Sequence, residues 1–489
     1  MMRQELERSL PFREGIRPEY IINFLNACEK AESEIHGIMI ACHGKVIFEA
    51  YNAPYKADIP HIMHSFTKIM TNTAAALAYG DGLLNLDDPI LKFFPEYAEN
   101  ANEYLRACTI RNLITMRSGQ QRSIGGNEWR PLKSSWKDAY FKVPFDKEPG
   151  EVYMYSSGNS YILSYIVQML EKKTCRELIW ERVGKKIGLT EFPWMMSPEG
   201  VCSGGNGVSL TTEDMLRIGL LYLNKGRWQG EQLIPEKWVD YAMGYTDPIP
   251  PVDGLQYNYH WEHTEDIWAG RGMFGQTCGL VPSLDMVFAI TAADEHYAAM
   301  KLFQREIVDK VKANEEVLQD DHKMAEILRQ KGLCMTLEGK NISVKNHIGL
   351  EARDFFWTPE KNQDGVRRIE VHFDEDRLLY VMEDGRGRHE VLAGLDHWIN
   401  GMTTMTGSYL HHQYEPAVLR IDAIAYWSDF HTLMMECRFP EMAFFDHVSI
   451  RFEEEQVKIE RWGNVYSNLS NDIYDGENIY NVNKIGEAS

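Results

Sequence analysis

Apolar positions along the chain keep helical spacing in some stretches and alternate in others, and the changes mark out its elements. Residues 17–31 read as an N-terminal helix, and residues 38–50 as strand, His43-Gly44 turn, strand. A mostly helical region with Gly and Pro breaks runs from 65 to about 243. Within it, residues 66–79 include Ala74, Ala75, Ala76, Leu77 and Ala78, all good helix formers, and stop at Gly80-Asp81-Gly82. Strands return at about 267–274, 276–281 and 286–291, with Pro282-Ser283-Leu284-Asp285 joining the last two. A charged helical stretch covers 296–331. Beyond Cys334 the pattern alternates, as in Ile369-Glu370-Val371-His372-Phe373, Leu378-Leu379-Tyr380-Val381-Met382, Val448-Ser449-Ile450-Arg451-Phe452 and Val457-Lys458-Ile459-Glu460. Acidic and Gly-containing turns separate these runs, which predicts a small antiparallel barrel or sandwich up to about residue 460. The Asn- and Asp-rich tail, 467–489, reads as partly disordered.

Composition adds limits to this picture. A chain of 489 residues exceeds a single core, so two domains are expected. With 51 basic against 72 acidic residues the net charge is −21, which disfavours nucleic acid and anionic membrane surfaces as partners. No run reaches the ~18 apolar residues of a membrane helix. The first eight residues are charged and lack the apolar centre of a secretory signal. The eight cysteines are scattered and read as reduced thiols, not as a disulfide framework or zinc site. A cytoplasmic protein is expected.

Candidate chemistry begins at Ser65-Phe66-Thr67-Lys68. Residues three apart on a helix are neighbours, so the Lys68 amine can reach the Ser65 hydroxyl. A helix N-terminus favours developing negative charge, and a desolvated lysine loses proton affinity and can activate the serine. Spacing alone is weak, since Ser134-Ser135-Trp136-Lys137 repeats it in a Trp- and Lys-rich stretch without buried periodicity. Downstream, Pro149-Gly150-Glu151-Val152-Tyr153-Met154-Tyr155-Ser156-Ser157-Gly158 supplies a phenol that could complete a proton relay. The trio suits acyl transfer through a serine ester. Tyr466-Ser467-Asn468 is a weaker rival for the phenol, in the polar tail.

These motifs stand in order with Gly82-Leu83-Leu84-Asn85-Leu86-Asp87-Asp88-Pro89, the segment 109–119, Gly204-Gly205, Ser209-Leu210-Thr211-Thr212-Glu213-Asp214, Gly270-Arg271-Gly272-Met273-Phe274-Gly275-Gln276 and Val281-Pro282-Ser283-Leu284-Asp285-Met286-Val287. In that order, residues from about 17 to 310 resemble the serine β-lactamase-like superfamily, in its class C, penicillin-binding-protein and esterase-like branch. The resemblance implies an α+β, β-lactamase/transpeptidase-like fold: an antiparallel sheet flanked by helices, a helical lobe, and the site in a cleft between them. The expected division is a hydrolase domain at 1–310, a helical linker at 311–333 and a β-rich domain with its polar tail at 334–489.

Carried over by position, the resemblance makes Ser65 the acylated nucleophile, Lys68 its partner amine and Tyr155 the phenol that takes and returns the proton. It makes the backbone N–H groups of Ser65 and Met273 the oxyanion donors. Ser157, Gly270, Arg271 and Gly272 fall at substrate-binding positions. Gly272 also has a reason of its own, since a strand without a Cβ lets a substrate backbone approach closely. Two departures matter: the second motif ends in Ser157 where Asn is usual, and the third reads Gly270-Arg271-Gly272, so the usual cation is absent or replaced by Arg271. Both argue against efficient β-lactam turnover.

The sequence therefore points to a serine hydrolase forming an acyl-enzyme on a small ester, amide or D-amino-acid-type peptide. The alternatives are a non-catalytic binding or assembly protein that keeps the hydrolase shell, and a weak β-lactamase or D,D-peptidase. His260-Trp261-Glu262-His263 and His411-His412 lack a third ligand, so no metal and no cofactor are expected. Trp129, Trp136, Trp261 and Trp268 would border the cleft, although tryptophans more often pack in cores. A small molecule or short peptide is the expected partner, and a homo-oligomer stays open.

Overall fold

Two antiparallel strands, β1 (Glu34–Cys42) and β2 (Lys45–Tyr51), turn through His43 and Gly44, both at positive φ. The structure is a computed structural model that describes residues 4–244, 256–294, 296–314, 321–337, 343–344, 355–357, 365–405, 417–452, 456–464 and 478–483. It divides into two units, residues 1–50 with 60–334, and residues 51–59 with 335–489.

In the first unit β1 and β2 join β3 (Gln256–Asn258), β4 (Trp261–Thr264), β5 (Ile267–Gly272), β6 (Gln276–Val281) and β7 (Met286–Ala293) in one sheet of order β2-β1-β7-β6-β5-β4-β3. Its long central strands are buried almost throughout, because helices cover both faces. On one side α4 (Thr212–Leu223) packs against β1, β6 and β7. That approach needs Gly219, where a Cβ would meet Val287 at 2.5 Å and the Cys278 sulfur at 2.6 Å. Elsewhere α1 (Pro18–Lys30) and α5 (Ala298–Phe303) pack together, with Phe303 stacked on Phe288 of β7 at 3.8 Å.

The helical lobe is built around α2 (Thr67–Gly80) and α3 (Ser157–Glu171), which pack against each other. Every residue of α2 from Thr67 to Ala78 is buried, so its alanine run serves close packing on all sides. Its few polar groups find partners inside: Asn72 receives the Trp238 indole N–H at 2.7 Å, and Thr73 bonds Tyr222 at 3.0 Å.

The second unit holds a ten-stranded sheet, curled into a half-barrel. Its strands are β8 (Phe355–Trp357), β9 (Arg368–Asp374), β10 (Arg377–Asp384), β11 (Gly387–Leu395), β12 (Ile399–Thr403), β13 (Leu419–Trp427), β14 (Thr432–Arg438), β15 (Phe445–Phe452), β16 (Gln456–Gly463) and β17 (Asn478–Asn483). Their order is β8-β9-β10-β11-β13-β14-β15-β16-β17, with β12 paired to β13. All described pairs are antiparallel except β11 with β13, which meet in parallel at Gly394↔Ile424. A buried Arg461–Asp446 pair, with Nε donating to Oδ2 at 3.0 Å, ties β16 to β15.

The expected α+β architecture with a C-terminal all-β region is the one observed. Several boundaries differ. The strand expected over 267–274 ends at Gly272, because Phe274 adopts φ +62° and the chain closes a 3₁₀ turn over Met273–Gly275. The stretch 296–331 is not one helix; Tyr297 at φ +51° opens it and a π-turn at Gln304–Val308 interrupts it before His322–Leu333 begins a second. Of the tail, 478–483 pairs as β17 against β16, while 467–477, 484–489, Tyr466 and His411-His412 lie outside the described residues.

Candidate active site

Ser65 sits on a short 3₁₀ turn, His64–Phe66, that runs directly into α2. Its preceding residue, His64, has φ +45°, a left-handed conformation that turns the chain sharply ahead of the helix. Three contacts fix the turn from below: Met63 N–H donates to Val208 O at 2.8 Å, Phe66 N–H donates to Met63 O at 3.0 Å, and His61–Ile62 pairs with Ser209–Leu210. Lys68, one turn on, is 1% exposed and its Nζ lies 3.2 Å from Ser65 Oγ. It also donates to Ser157 Oγ at 3.1 Å and to Gly205 O at 2.8 Å. Those three acceptors match the three N–H bonds of an ammonium. Burial drives the Lys68 amine down to about 7, against a weaker upward pull from the Glu262 carboxylate.

Ser157 opens α3, and the loop ahead of it brings Tyr155 over Lys68, with Nζ 4.6 Å from the ring centroid. The loop is pinned from the segment 116–117. Met154 N–H donates to Met116 O at 2.8 Å, Gly150 N–H to Arg117 O at 2.9 Å, and Ser156 N–H to the Met116 sulfur at 3.4 Å. The Tyr155 ring is 37% exposed, yet enough protein surrounds its phenol that burial holds it far above the ordinary tyrosine value. Hydrogen bonding with Ser65 pulls the phenol back only in part.

Gly204 and Gly205 pass close under α3. A Cβ on Gly204, at φ +68°, would meet Ser160 O at 2.3 Å, and one on Gly205 would meet Ser157 Cβ at 2.7 Å. Their carbonyls are both held, Gly204 O by Thr71 at 2.7 Å and Gly205 O by Lys68. Behind them His260 is buried, 3.4 Å from Ser160 Oγ; burial and the Lys68 charge push its imidazole far below the ordinary value, so it is neutral.

Strand β5 passes the His64–Phe66 turn closely. The bare α-carbon of Gly272 faces Met63 O, which a Cβ would meet at 2.1 Å, and one at Gly270 would meet Ile69 at 2.7 Å and Phe66 at 2.9 Å. The glycines therefore admit the protein's own turn and helix, whereas sequence reasoning gave Gly272 a substrate backbone as its neighbour. Arg271 is already engaged: its guanidinium bonds the Glu262 carboxylate and lies 4.9 Å from the Tyr297 ring centroid. Met273 follows where the strand breaks into its 3₁₀ turn.

The second Ser-x-x-Lys behaves differently. Ser135, not Ser134, caps the helix Trp136–Phe141, accepting from Asp138 N–H at 3.0 Å. Burial would lower the Lys137 amine, but Glu96 overrides it and holds the amine up. The four tryptophans are all buried, Trp129 stacked on Trp136 at 5.2 Å and Trp268 on His263 at 4.4 Å, so they pack and do not line an open pocket. No cluster of metal-ligating side chains occurs among the described residues.

Sequence reasoning missed the Gly205 carbonyl, Glu262 and Tyr257, whose ring meets that of Tyr155 edge-on at 6.0 Å. A backbone acceptor leaves no residue signature, and Glu262 was weighed only within its histidine-rich string. Recognising the hairpin β4–β5 would have brought Glu262 and Arg271 together, since the two charges then fall on one face.

The chain belongs to the beta-lactamase family, whose model, described as Beta-lactamase, matches residues 25–311. It is similar to the 6-aminohexanoate-dimer hydrolase of Paenarthrobacter ureafaciens, 22% identical over 275 residues that cover 50% of this chain and 68% of the relative. A solved structure from Bacillus anthracis, provisionally called a 6-aminohexanoate-dimer hydrolase, is 18% identical and covers 65% of this chain and 90% of its own, with a TM-score of 0.52. The crystal structure of SurE with D-Leu is 14% identical and covers 96% of this chain and 100% of its own, with a TM-score of 0.50. At such identities the solved structures carry the fold and not the substrate. Members of this fold family are generally hydrolases.

Proposed function

We propose that the protein is a serine hydrolase that works through an acyl-enzyme on a small ester, amide or D-amino-acid-type peptide. One observation carries the reading: the Lys68 amine, buried and lowered to about 7, stands 3.2 Å from Ser65 Oγ. A serine on the surface of a helix has no such neighbour, and a lysine paired with a carboxylate, as Lys137 is, keeps its proton.

The division of labour follows from the two proton affinities. Near pH 7 a substantial share of Lys68 is neutral, so it accepts the Ser65 proton as the hydroxyl oxygen attacks the carbonyl. The Tyr155 phenol, held far above neutrality, stays protonated and passes a proton to the departing alcohol or amine. Lys68 restores that proton to the phenol. As the bond from Ser65 Oγ to the acyl carbon forms, the carbonyl π pair moves onto its oxygen, and the Ser65 and Met273 N–H groups face that oxyanion; the bond to the leaving group breaks as the pair returns. Such donors are worth about 10²–10³ in rate. Water then adds to the ester by the same relay and releases the acid. Ser157 Oγ and Gly205 O hold the amine in place throughout.

Ser65→Ala is expected to abolish hydrolysis of p-nitrophenyl butyrate and labelling by a fluorophosphonate probe. Hydrolysis or stoichiometric labelling that survives the substitution would remove Ser65 from the mechanism.

A further inference from the structure

We infer that Glu262 is a specificity-determining residue: by holding Arg271 it deprives the cleft of a free cation and selects uncharged acyl groups over carboxylate-bearing ones. The inference rests on the reading of Ser65 as nucleophile and deepens it.

Strand register brings the groups together. Tyr257 of β3 stands directly opposite Glu262 of β4, and Glu262 stands opposite Ala269 of β5. Arg271 is two residues beyond Ala269, so Tyr257, Glu262 and Arg271 share one face of the sheet. The Tyr257 ring in turn meets Tyr155 edge-on at 6.0 Å and Tyr153 at 5.4 Å. Glu262 is thus one ring removed from the phenol of the proposed relay. Its carboxylate bonds Arg271, and the two side chains are only 15% and 24% exposed. On its other side the guanidinium lies over Tyr297.

A substrate carboxylate reaching this face of the sheet would find Arg271 already engaged. A carboxylate on the acyl group would have to displace Glu262, leaving a largely enclosed acid unpaired beside a second negative charge. A neutral acyl group meets no such obstacle. Burial raises the Glu262 carboxyl, and the Arg271 charge opposes this only in part.

The test compares p-nitrophenyl butyrate with the mono-p-nitrophenyl ester of glutaric acid, which adds a terminal carboxylate. The native enzyme is expected to have the higher kcat/KM for the butyrate. Glu262→Gln keeps the shape and removes the charge, so the glutarate-to-butyrate ratio of kcat/KM should rise about tenfold, the worth of one charge-assisted hydrogen bond. The gain should vanish in the double variant with Arg271→Gln. If Glu262→Gln does not fold, Arg271→Gln alone should lower the ratio by leaving Glu262 uncompensated. A native preference for the glutarate ester, a ratio unmoved by either substitution, or a gain that survives loss of Arg271 would overturn the inference. Absence of Ser65-dependent hydrolysis of both esters would instead overturn the serine-hydrolase reading itself.

Discussion

Lys68 is held in two opposed ways, and the balance is measurable. Three acceptors favour its charged form, while full burial favours the neutral one and wins, bringing the amine from 10.5 to about 7. If the neutral amine is the base, kcat/KM for a neutral ester rises as pH passes through about 7 and levels off above it. Stability responds with a definite sign. The folded state binds the Lys68 proton less tightly than the unfolded chain, so between about 7 and 10.5 the unfolded state holds more protons and stability climbs with pH. Below 7 both states are protonated and the full penalty of the buried charge applies. Lys68→Met, inactive but relieved of that penalty, should therefore gain most on the native protein at low pH. The difference in unfolding free energy should shrink by about 3 kcal/mol between pH 6 and pH 9, read from urea denaturation at each pH. A difference that stays constant would mean the amine is not depressed.

Among the elements, the approach of β5 to the His64–Phe66 turn is the tightest requirement. Gly272→Ala would place a methyl 2.1 Å from Met63 O, an atom of fixed backbone and not the end of a flexible side chain. Met63 already accepts Phe66 N–H, so relief must come from shifting the turn that carries Ser65. Thermal unfolding should show a loss of about 1–3 kcal/mol, and ester hydrolysis should fall more than tenfold even where the protein remains folded. Near-native kinetics would show that the turn adapts. This requirement also explains what could be read in advance. Ser65 and Lys68 lie three residues apart on consecutive helical turns, and the Pro149-Gly150 break ahead of Tyr155 is local, so both motifs stand out in the chain. The Glu262–Arg271 pair depends on which residues two strands set side by side, and Gly205 acts through a carbonyl; neither leaves a local pattern. β13 and β14 went unrecognised for a related reason. Leu419–Trp427 and Thr432–Arg438 are buried on most positions of both faces, which erases the alternation that marked Ile369-Glu370-Val371-His372-Phe373.

On the scale of the whole molecule, the division into units raises the question of what the second unit contributes to the chemistry. Ser65, Lys68, Tyr155, Ser157, Gly205, Glu262 and Arg271 all belong to the first unit. One strand of chain complicates a simple separation. Residues 51–59, only a few positions ahead of the turn that carries Ser65, group with the second unit, where Leu337 N–H donates to Ala53 O at 2.7 Å. Removing residues 335–489 would release that segment. The anchor nearer to Ser65 is untouched. His61–Ile62 remains paired with Ser209–Leu210, and Met63 N–H remains bonded to Val208 O, all within the first unit. A chain ending at Cys334 should therefore keep kcat/KM for p-nitrophenyl butyrate within about threefold of the full-length protein, since loosening confined to 51–59 stays local. A loss of tenfold or more in a truncated chain with native circular dichroism would assign the second unit a direct part in shaping the site.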